Sequence, residues 1–251
     1  MAELLEVRQV SRRFYKGRSL VTAVNGVSFS LSRGEVLGIV GESGSGKTTL
    51  IKMVTRLLEA DEGEILLEGE DITRAVGAGL RKARRQMQLV FQTPQDSFDP
   101  RQTLGRGILE GMVNNGVPRR EAERRLPELL RQCGLSPDYA RRYPYQVSGG
   151  ECQRAAIARA VAVEPALLIC DEATSALDVT VQAQVMALLE QLRRERGMAI
   201  LFICHDLALV QQFCHRVLVL HRGKVVEEGT PDQVILHPKS DYTRTLVDAA
   251  L

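Results

Sequence analysis

Tryptophan is absent, and phenylalanine and tyrosine bring the aromatic content of the 251-residue chain to only 4%. The five cysteines, at 133, 152, 170, 204 and 214, form no CxxC pair. Their odd number argues against a disulfide framework, and a reducing cytosol is the expected compartment. No apolar run approaches the ~18 residues of a membrane-spanning helix. The opening MAELLEVRQV carries Glu3 and Glu6 where a signal peptide is basic and then apolar. The chain is therefore expected neither to span a membrane nor to be exported by that route, and any membrane role is expected to come through a partner. A surplus of one charge is missing too. Lys and Arg number 33 against 31 Asp and Glu, and a net of +2 gives no strong pull toward nucleic acid. The basic runs Arg81-Lys82-Ala83-Arg84-Arg85 and Arg193-Arg194-Glu195-Arg196 read as solvated helix faces. No internal repeat or low-complexity segment is present. The 44% of hydrophobic residues suits one or two packed domains with a sizeable core.

What is there begins with Gly41-Glu42-Ser43-Gly44-Ser45-Gly46-Lys47-Thr48: a glycine, four free positions, then Gly-Lys-Thr. Glu35 to Val40 reads as a buried strand before it. Leu50, Val54, Leu57 and Leu58 recur at helical spacing after it, so the stretch is expected to turn from a strand into a helix N-terminus. The glycines allow consecutive N–H groups to converge on one centre, and the helix dipole adds positive potential there. Such a loop cradles phosphate. Lys47 is expected to reach β and γ phosphates, and the Thr48 hydroxyl is a hard oxygen suited to Mg²⁺.

Before the loop, 4–10 and 27–31 alternate as half-exposed strands, with Phe14, Tyr15 and Gly17 in an expected connecting loop. Aromatics in that place either stack on a base or pack at an edge. After it, Asp61-Glu62-Gly63 reads as a turn, and 64–67 with 68–71 as a hairpin. Leu89-Val90-Phe91-Gln92 is a short strand ending in an amide. From about 93 to 160 the pattern turns helical, with breaks at Pro118, Gly134 and Pro144, which predicts a helical insertion into an α/β core spanning 1–92 and 161–251. Strands at 166–170 and 199–204 around a helix at 179–196 predict a mostly parallel sheet. In that helix Val181, Val185, Leu188, Leu189 and Leu192 form a core stripe. Strands at 217–220 and 225–227 flank a turn at Arg222-Gly223, ahead of a polar helical tail.

In an open parallel sheet, ligands sit at the carboxyl ends of strands. Leu167 to Glu172 is an apolar run ending in two carboxylates. Asp171 is assigned to Mg²⁺ or its water shell, and Glu172 to accepting a proton from an attacking water. His205 follows the strand at 199–204 and could bond a γ-phosphate. Gln92 can offer its carbonyl to Mg²⁺ and its amide to the water. Ser148-Gly149-Gly150-Glu151 opens an alanine-rich helix and forms a second candidate phosphate binder. One nucleotide has no use for two such sites on one chain. Two chains arranged head to tail do, each covering the nucleotide on the other.

With these motifs in order along nearly the whole chain, the sequence resembles the ATP-binding subunit of an ABC transporter. The resemblance implies a P-loop NTPase of the ABC ATPase fold: one domain with a mostly parallel core sheet, an antiparallel β subdomain and an inserted α-helical subdomain. It assigns the Walker A loop to 41–48 with Thr49 beside it, the Q-loop to Gln92, the signature to Val147–Glu151, Walker B to 167–172, the D-loop to Ser175-Ala176-Leu177-Asp178, and the switch to His205. It makes Phe14 the residue that stacks on adenine, with Tyr15 second. It also implies ATP and Mg²⁺ as ligands. Val147 and Glu151 stand where Leu and Gln are commoner, Ala173 where Pro is usual, and Cys204 where Thr is usual. The last two are neighbours of functional groups rather than the groups themselves, so an active ATPase is still expected.

Three further segments narrow the resemblance: Phe98-Asp99-Pro100-Arg101, the run from Ser175 to Gln184, and the tail His237-Pro238-Lys239-Ser240-Asp241-Tyr242-Thr243-Arg244-Thr245-Leu246. They are similar to the bacterial dipeptide, oligopeptide and nickel importers. That family implies a second ATPase subunit, either a different chain or a second copy, beneath two transmembrane permease subunits. An extracytoplasmic solute-binding protein feeds them, and the ATPase sits peripherally on the cytoplasmic face of the inner membrane. Peptide importers often carry a longer, cysteine-bearing tail, which leaves a metal or metal-chelate importer open. Two rivals stand beside this reading. One is a soluble ABC-type ATPase of an enzyme or nucleic-acid complex, opposed by the near-neutral charge, the lack of a coiled-coil insertion and the importer-like tail. The other is a partner that binds ATP without hydrolysing it, opposed by Glu172 and His205.

Overall fold

The structure is a computed structural model that describes residues 3–17, 19–175 and 177–249. Ala176 of the expected D-loop lies outside them. The chain opens with β1 (Glu3–Lys16), β2 (Ser19–Ser32), β3 (Val36–Val40), α1 (Lys47–Val54), β4 (Glu62–Leu67), β5 (Glu70–Asp71) and α2 (Gly77–Gln86). It continues through β6 (Met87–Val90), α3 (Leu104–Asn114), α4 (Arg119–Gln132), α5 (Gly149–Val161), β7 (Leu167–Asp171) and α6 (Val179–Arg196). It ends with β8 (Ala199–Ile203), α7 (Leu207–Phe213), β9 (Arg216–His221), β10 (Lys224–Gly229), α8 (Pro231–Leu236) and α9 (Asp241–Asp248). Two compact units result, Met1–Arg84 with Ala199–Leu251, and Arg85–Met198.

The first unit carries two sheets. In one, β2, β1, β4 and β5 lie in that order, all antiparallel. In the other, β3 runs parallel to β8 on one side and β9 on the other, and β10 pairs antiparallel with β9. All five residues of β3 and of β8 are buried, which explains why both read as unbroken apolar runs rather than alternating ones. The expected loop around Phe14 and Tyr15 is strand instead. The β1–β2 hairpin continues to Lys16, with Phe14 opposite Val21 and Tyr15 opposite Leu20, because cross-strand pairing carries the chain through a stretch with no apolar alternation of its own. The helix behind the glycine loop is shorter than its apolar spacing predicts. Arg56 adopts φ 56°, a left-handed conformation that stops α1 and leaves Leu57 55% exposed. Strand β4 likewise starts at Glu62, inside the expected turn.

In the second unit, β6 and β7 are parallel, from Met87 opposite Leu167 to Val90 opposite Cys170. Helices α3, α4, α5 and α6 each bury an apolar face in the rest of this unit's core. Ala155, Ala156, Ala158 and Ala160 are all buried there, and their small side chains permit close packing. The Arg159 guanidinium lies 5.3 Å from the centre of the Phe98 ring and donates to the Ser97 carbonyl. Helix α6 has the bounds read from sequence because both ends are punctuated. Asp178 accepts the Val181 N–H at 3.0 Å, and Gly197 closes the helix at φ 63°.

All five cysteines are free and buried. Burial pushes the thiols of Cys133 and Cys170 up to about 12 and that of Cys152 up to about 11, and it raises Cys214 as well. Among the described residues no helix is long and apolar enough to cross a membrane.

Candidate functional site

The candidate residues fall into two sets, one on each unit. On the first, β3 delivers the chain to Gly41, where φ is 146° and an ideal Cβ would lie 2.2 Å from the Leu220 carbonyl oxygen. Gly46 precedes α1 at φ 109°, and a Cβ there would lie 2.3 Å from the Ala23 carbonyl oxygen. Neither position admits a side chain. Lys47, the first residue of α1, is buried and turns its Nζ back to donate to the carbonyls of Gly41 at 2.6 Å and Glu42 at 2.9 Å. The turn between β9 and β10 ties the loop from outside, the Gly223 N–H donating to the Ser45 carbonyl at 2.8 Å.

Inside the loop the Ser45 hydroxyl is buried and has no hydrogen-bond partner among the described residues. An orphaned hydroxyl, glycines with no Cβ and a lysine resting on carbonyls together suit a phosphate group. Ser43, Gly44 and Thr48 are exposed and Thr49 is half-buried. Phe14 is 38% exposed, with the Arg12 guanidinium 5.1 Å from its ring centre, whereas Tyr15 is 82% exposed. His205 stands exposed just after β8. Behind it the Cys204 sulfur accepts the Asp206 N–H at 3.3 Å. The Asp206 carboxylate caps α7 through the N–H groups of Ala208 at 2.9 Å and Leu209 at 3.1 Å. A thiol in place of the usual hydroxyl therefore still accepts in this turn.

On the second unit, the Gln92 amide donates to Glu172 Oε2 at 2.9 Å and to Ser175 Oγ at 3.3 Å. The Ser175 hydroxyl in turn donates to the Glu172 carbonyl at 3.0 Å. Glu172 has φ 48°, a left-handed conformation that a non-glycine residue adopts at a cost of about 1–3 kcal/mol. Such strain persists where surrounding contacts hold it, and here Gln92 and Ser175 do so. Asp171 ends β7, half-buried. Among the described residues no group of three or more His, Cys, Asp or Glu converges as a metal cage. The Gln92 amide carbonyl and the Asp171 carboxylate on this unit are hard oxygen donors, the ligand type that suits Mg²⁺.

The segment from Ser148 to Glu151 forms a capping box on α5. Glu151 Oε2 accepts the Ser148 N–H at 2.8 Å, and Ser148 Oγ accepts the Glu151 N–H at 3.3 Å. The Tyr139 hydroxyl donates to Glu151 Oε1, and the Arg142 guanidinium lies 4.1 Å from the Tyr139 ring centre. The bond from Tyr139, followed by the one from the Ser148 N–H, holds the Glu151 carboxyl below its ordinary range, and the same pairing raises the Tyr139 phenol. The carboxylate that replaces the commoner amide is thus engaged within its own chain. Ser148 itself is exposed at the helix start. Sequence reasoning overlooked Tyr139, because nothing in its neighbourhood marks a tyrosine that reaches a helix cap 12 positions on.

Comparison with known proteins gives these residues a family. The pattern described as ABC transporter matches residues 24–175. The chain is 45% identical over 250 residues to the oligopeptide transport ATP-binding protein OppF of Streptococcus mutans, covering 98% of this chain and 81% of that protein. It is 48% identical over 230 residues to the glutathione import ATP-binding protein GsiA of Pectobacterium atrosepticum, covering 91% of this chain and 37% of that protein. The solved structure of cbiO1 from Clostridium perfringens, part of the ABC transporter complex cbiONQ, superposes with a TM-score of 0.83 at 29% identity, over 94% of this chain and 92% of its own. The dimeric post-hydrolysis state of the ATP-binding cassette MJ0796, bound to ADP and Pi, gives 0.82 at 28% identity, over 90% and 98%. The fold expected from the sequence is the fold of these cassettes. With the family pattern and the relatives in agreement, the chain belongs to the ABC transporter family as one of its ATP-binding cassettes.

Proposed function

We propose that the chain is the ATP-hydrolysing subunit of an importer of peptides, or of nickel or other metal chelates, at the cytoplasmic face of the bacterial inner membrane. The relatives' roles in oligopeptide transport and glutathione import support the import class. The observation that carries the hydrolytic role is Glu172, held in a left-handed conformation with its carboxylate on the Gln92 amide at 2.9 Å. Phosphoryl transfer to water needs a positioned base and stabilised phosphate charge. Lys47 and the N–H groups of 41–49 bind the phosphates, with Phe14 against the adenine. Glu172 takes the proton of the attacking water, Gln92 orients that carboxylate, and His205 bonds the γ-phosphate. Thr48, Gln92 and Asp171 would hold Mg²⁺, which would supply positive charge against the phosphate oxygens.

Ser148, Gly149, Gly150 and Glu151 of one chain, with Asp178, complete the site on a second ATPase subunit, and ATP closes that dimer. The helical segment 93–160 passes the motion to two permease subunits, while 1–92 and 161–251 hold the nucleotide. A solute-binding protein takes part only through the permeases, and nucleic acid has no place in the cycle. Glu172→Gln keeps the hydrogen-bonding shape but removes the base, so MgATP binding stays and turnover falls roughly 10²- to 10⁴-fold. Phosphate release at wild-type rate in this variant would refute the base assignment. Co-purification of the tagged chain with two polytopic membrane proteins tests the importer assignment, and its recovery alone or in a soluble complex would refute it.

A further inference from the structure

The fold brings the tail of the chain to the phosphate loop. Tyr242, in the first turn of α9, accepts the N–H of Glu42 on its hydroxyl oxygen at 3.0 Å. That N–H belongs to the same peptide unit as the Gly41 carbonyl, which accepts Lys47 Nζ at 2.6 Å. One amide plane is therefore held at both ends, by the phosphate-binding lysine on one side and by a phenol on the other.

The phenol is itself held in place. Its ring lies 3.8 Å from that of His221, the last residue of β9, at a tilt of 35°. The start of α9 is fastened to β10, where Glu227 accepts the N–H groups of Lys239 at 2.9 Å and Ser240 at 3.0 Å. Burial alone would raise the Glu227 carboxyl, but the nearby Thr243 side chain and these two N–H groups outweigh it and keep the group below its ordinary range. Arg244 binds Asp241 at 2.8 Å and reaches back to the carbonyls of Pro238 and Lys239. A continuous set of contacts thus runs from β10 through the start of α9 to Glu42. In turning toward a phosphate, the Lys47 ammonium gives up part of its hold on the carbonyls of Gly41 and Glu42. While it does so, the 41–42 plane keeps its orientation only if something else holds it.

We propose that Tyr242 is a positioning residue for the phosphate loop: its hydroxyl fixes the 41–42 amide plane, so that Lys47 and the loop N–H groups meet the nucleotide phosphates without reordering. This rests on the reading of 41–48 as the phosphate-binding loop. The alternative is that the bond only fastens α9, in which case its loss lowers the melting temperature but leaves the folded protein's affinity alone. Tyr242→Phe separates the two, since it keeps the ring on His221 and removes only the oxygen.

Titration calorimetry of the full chain with MgADP and MgATP, well below its melting temperature, is the test. The Kd for both nucleotides is expected to rise roughly 3- to 10-fold, the worth of one hydrogen bond. In steady state KM rises with it, while kcat stays within about twofold. Glu42→Pro removes the donor, so adding Tyr242→Phe to that variant is expected to change nothing further. A Kd and KM equal to wild type in Tyr242→Phe would overturn the proposal, whatever happens to the melting temperature. A wild-type chain that binds neither nucleotide, or a Lys47→Ala variant that binds as wild type does, would instead overturn the loop assignment beneath it.

Discussion

Gly150 is the residue at which packing and chemistry are most sharply opposed. It is the second residue of α5, in ordinary helical backbone, so propensity alone favours alanine there by about 1 kcal/mol. An ideal Cβ would however lie 2.2 Å from Val181 Cγ1. Val181 has little freedom to yield. It is β-branched, with one strongly preferred rotamer in a helix, and its N–H is fixed by Asp178 at 3.0 Å. Overpacking of this kind costs about 1–3 kcal/mol, so Gly150→Ala is expected to destabilise the protein by about 0–2 kcal/mol net. Val181→Ala removes both γ carbons and leaves only Val181 Cβ, at 3.5 Å, which is ordinary contact.

Urea unfolding of the wild type, both single variants and the double variant measures the coupling. It should exceed about 1 kcal/mol in the relieving direction, and additivity within about 0.5 kcal/mol would refute the clash. ATPase rates on the same four proteins add a second result. A double variant that regains stability without regaining turnover would assign the glycine to close approach by phosphate rather than to packing.

Lys47→Ala should weaken MgATP binding itself, read by titration with a fluorescent ATP analogue, and unchanged affinity would count against the phosphate contact. At the end of α6, the bond from Arg193, opposed by burial and reinforced by Arg194, holds the Glu190 carboxyl down to about 2. A carboxyl depressed on folding contributes stability that is present above its unfolded pKa and is lost as pH falls toward about 2. Glu190→Gln should therefore flatten the loss of urea stability below about pH 4.5, where an unfolded glutamate titrates, and an unchanged acid limb would refute the pairing.

The parts of this protein that could be read in advance are those that a local rule determines. Phosphate binding demands glycines at fixed offsets before a lysine, so 41–48 stands out as a candidate, and the tight backbone at Gly41 and Gly46 follows from the same glycines. Helix α6 was legible because Asp178 and Gly197 mark its ends in the sequence as well as in the fold. The hairpin through Phe14 was not, since Arg12 and Arg13 interrupt any alternation and only the partner strand decides the conformation. Helix α1 was read too long because Leu57 keeps the apolar spacing after Arg56 has turned the backbone away. Tyr139 and Tyr242 were out of reach for a different reason. Each works through a hydrogen bond to a distant residue, Glu151 and Glu42, and no periodicity records such a partnership.

The thiols have a practical consequence for following the catalytic cycle. Every native sulfhydryl lies in the interior, and at neutral pH those of Cys133, Cys152, Cys170 and Cys214 are kept from the thiolate form that maleimides attack. A single cysteine introduced on the exposed side of α4 or α6 would then be the fast-reacting one. Fluorophores or spin probes could be attached there without first stripping the protein of its own sulfur, and the movements of the chain during turnover could be timed in the native background.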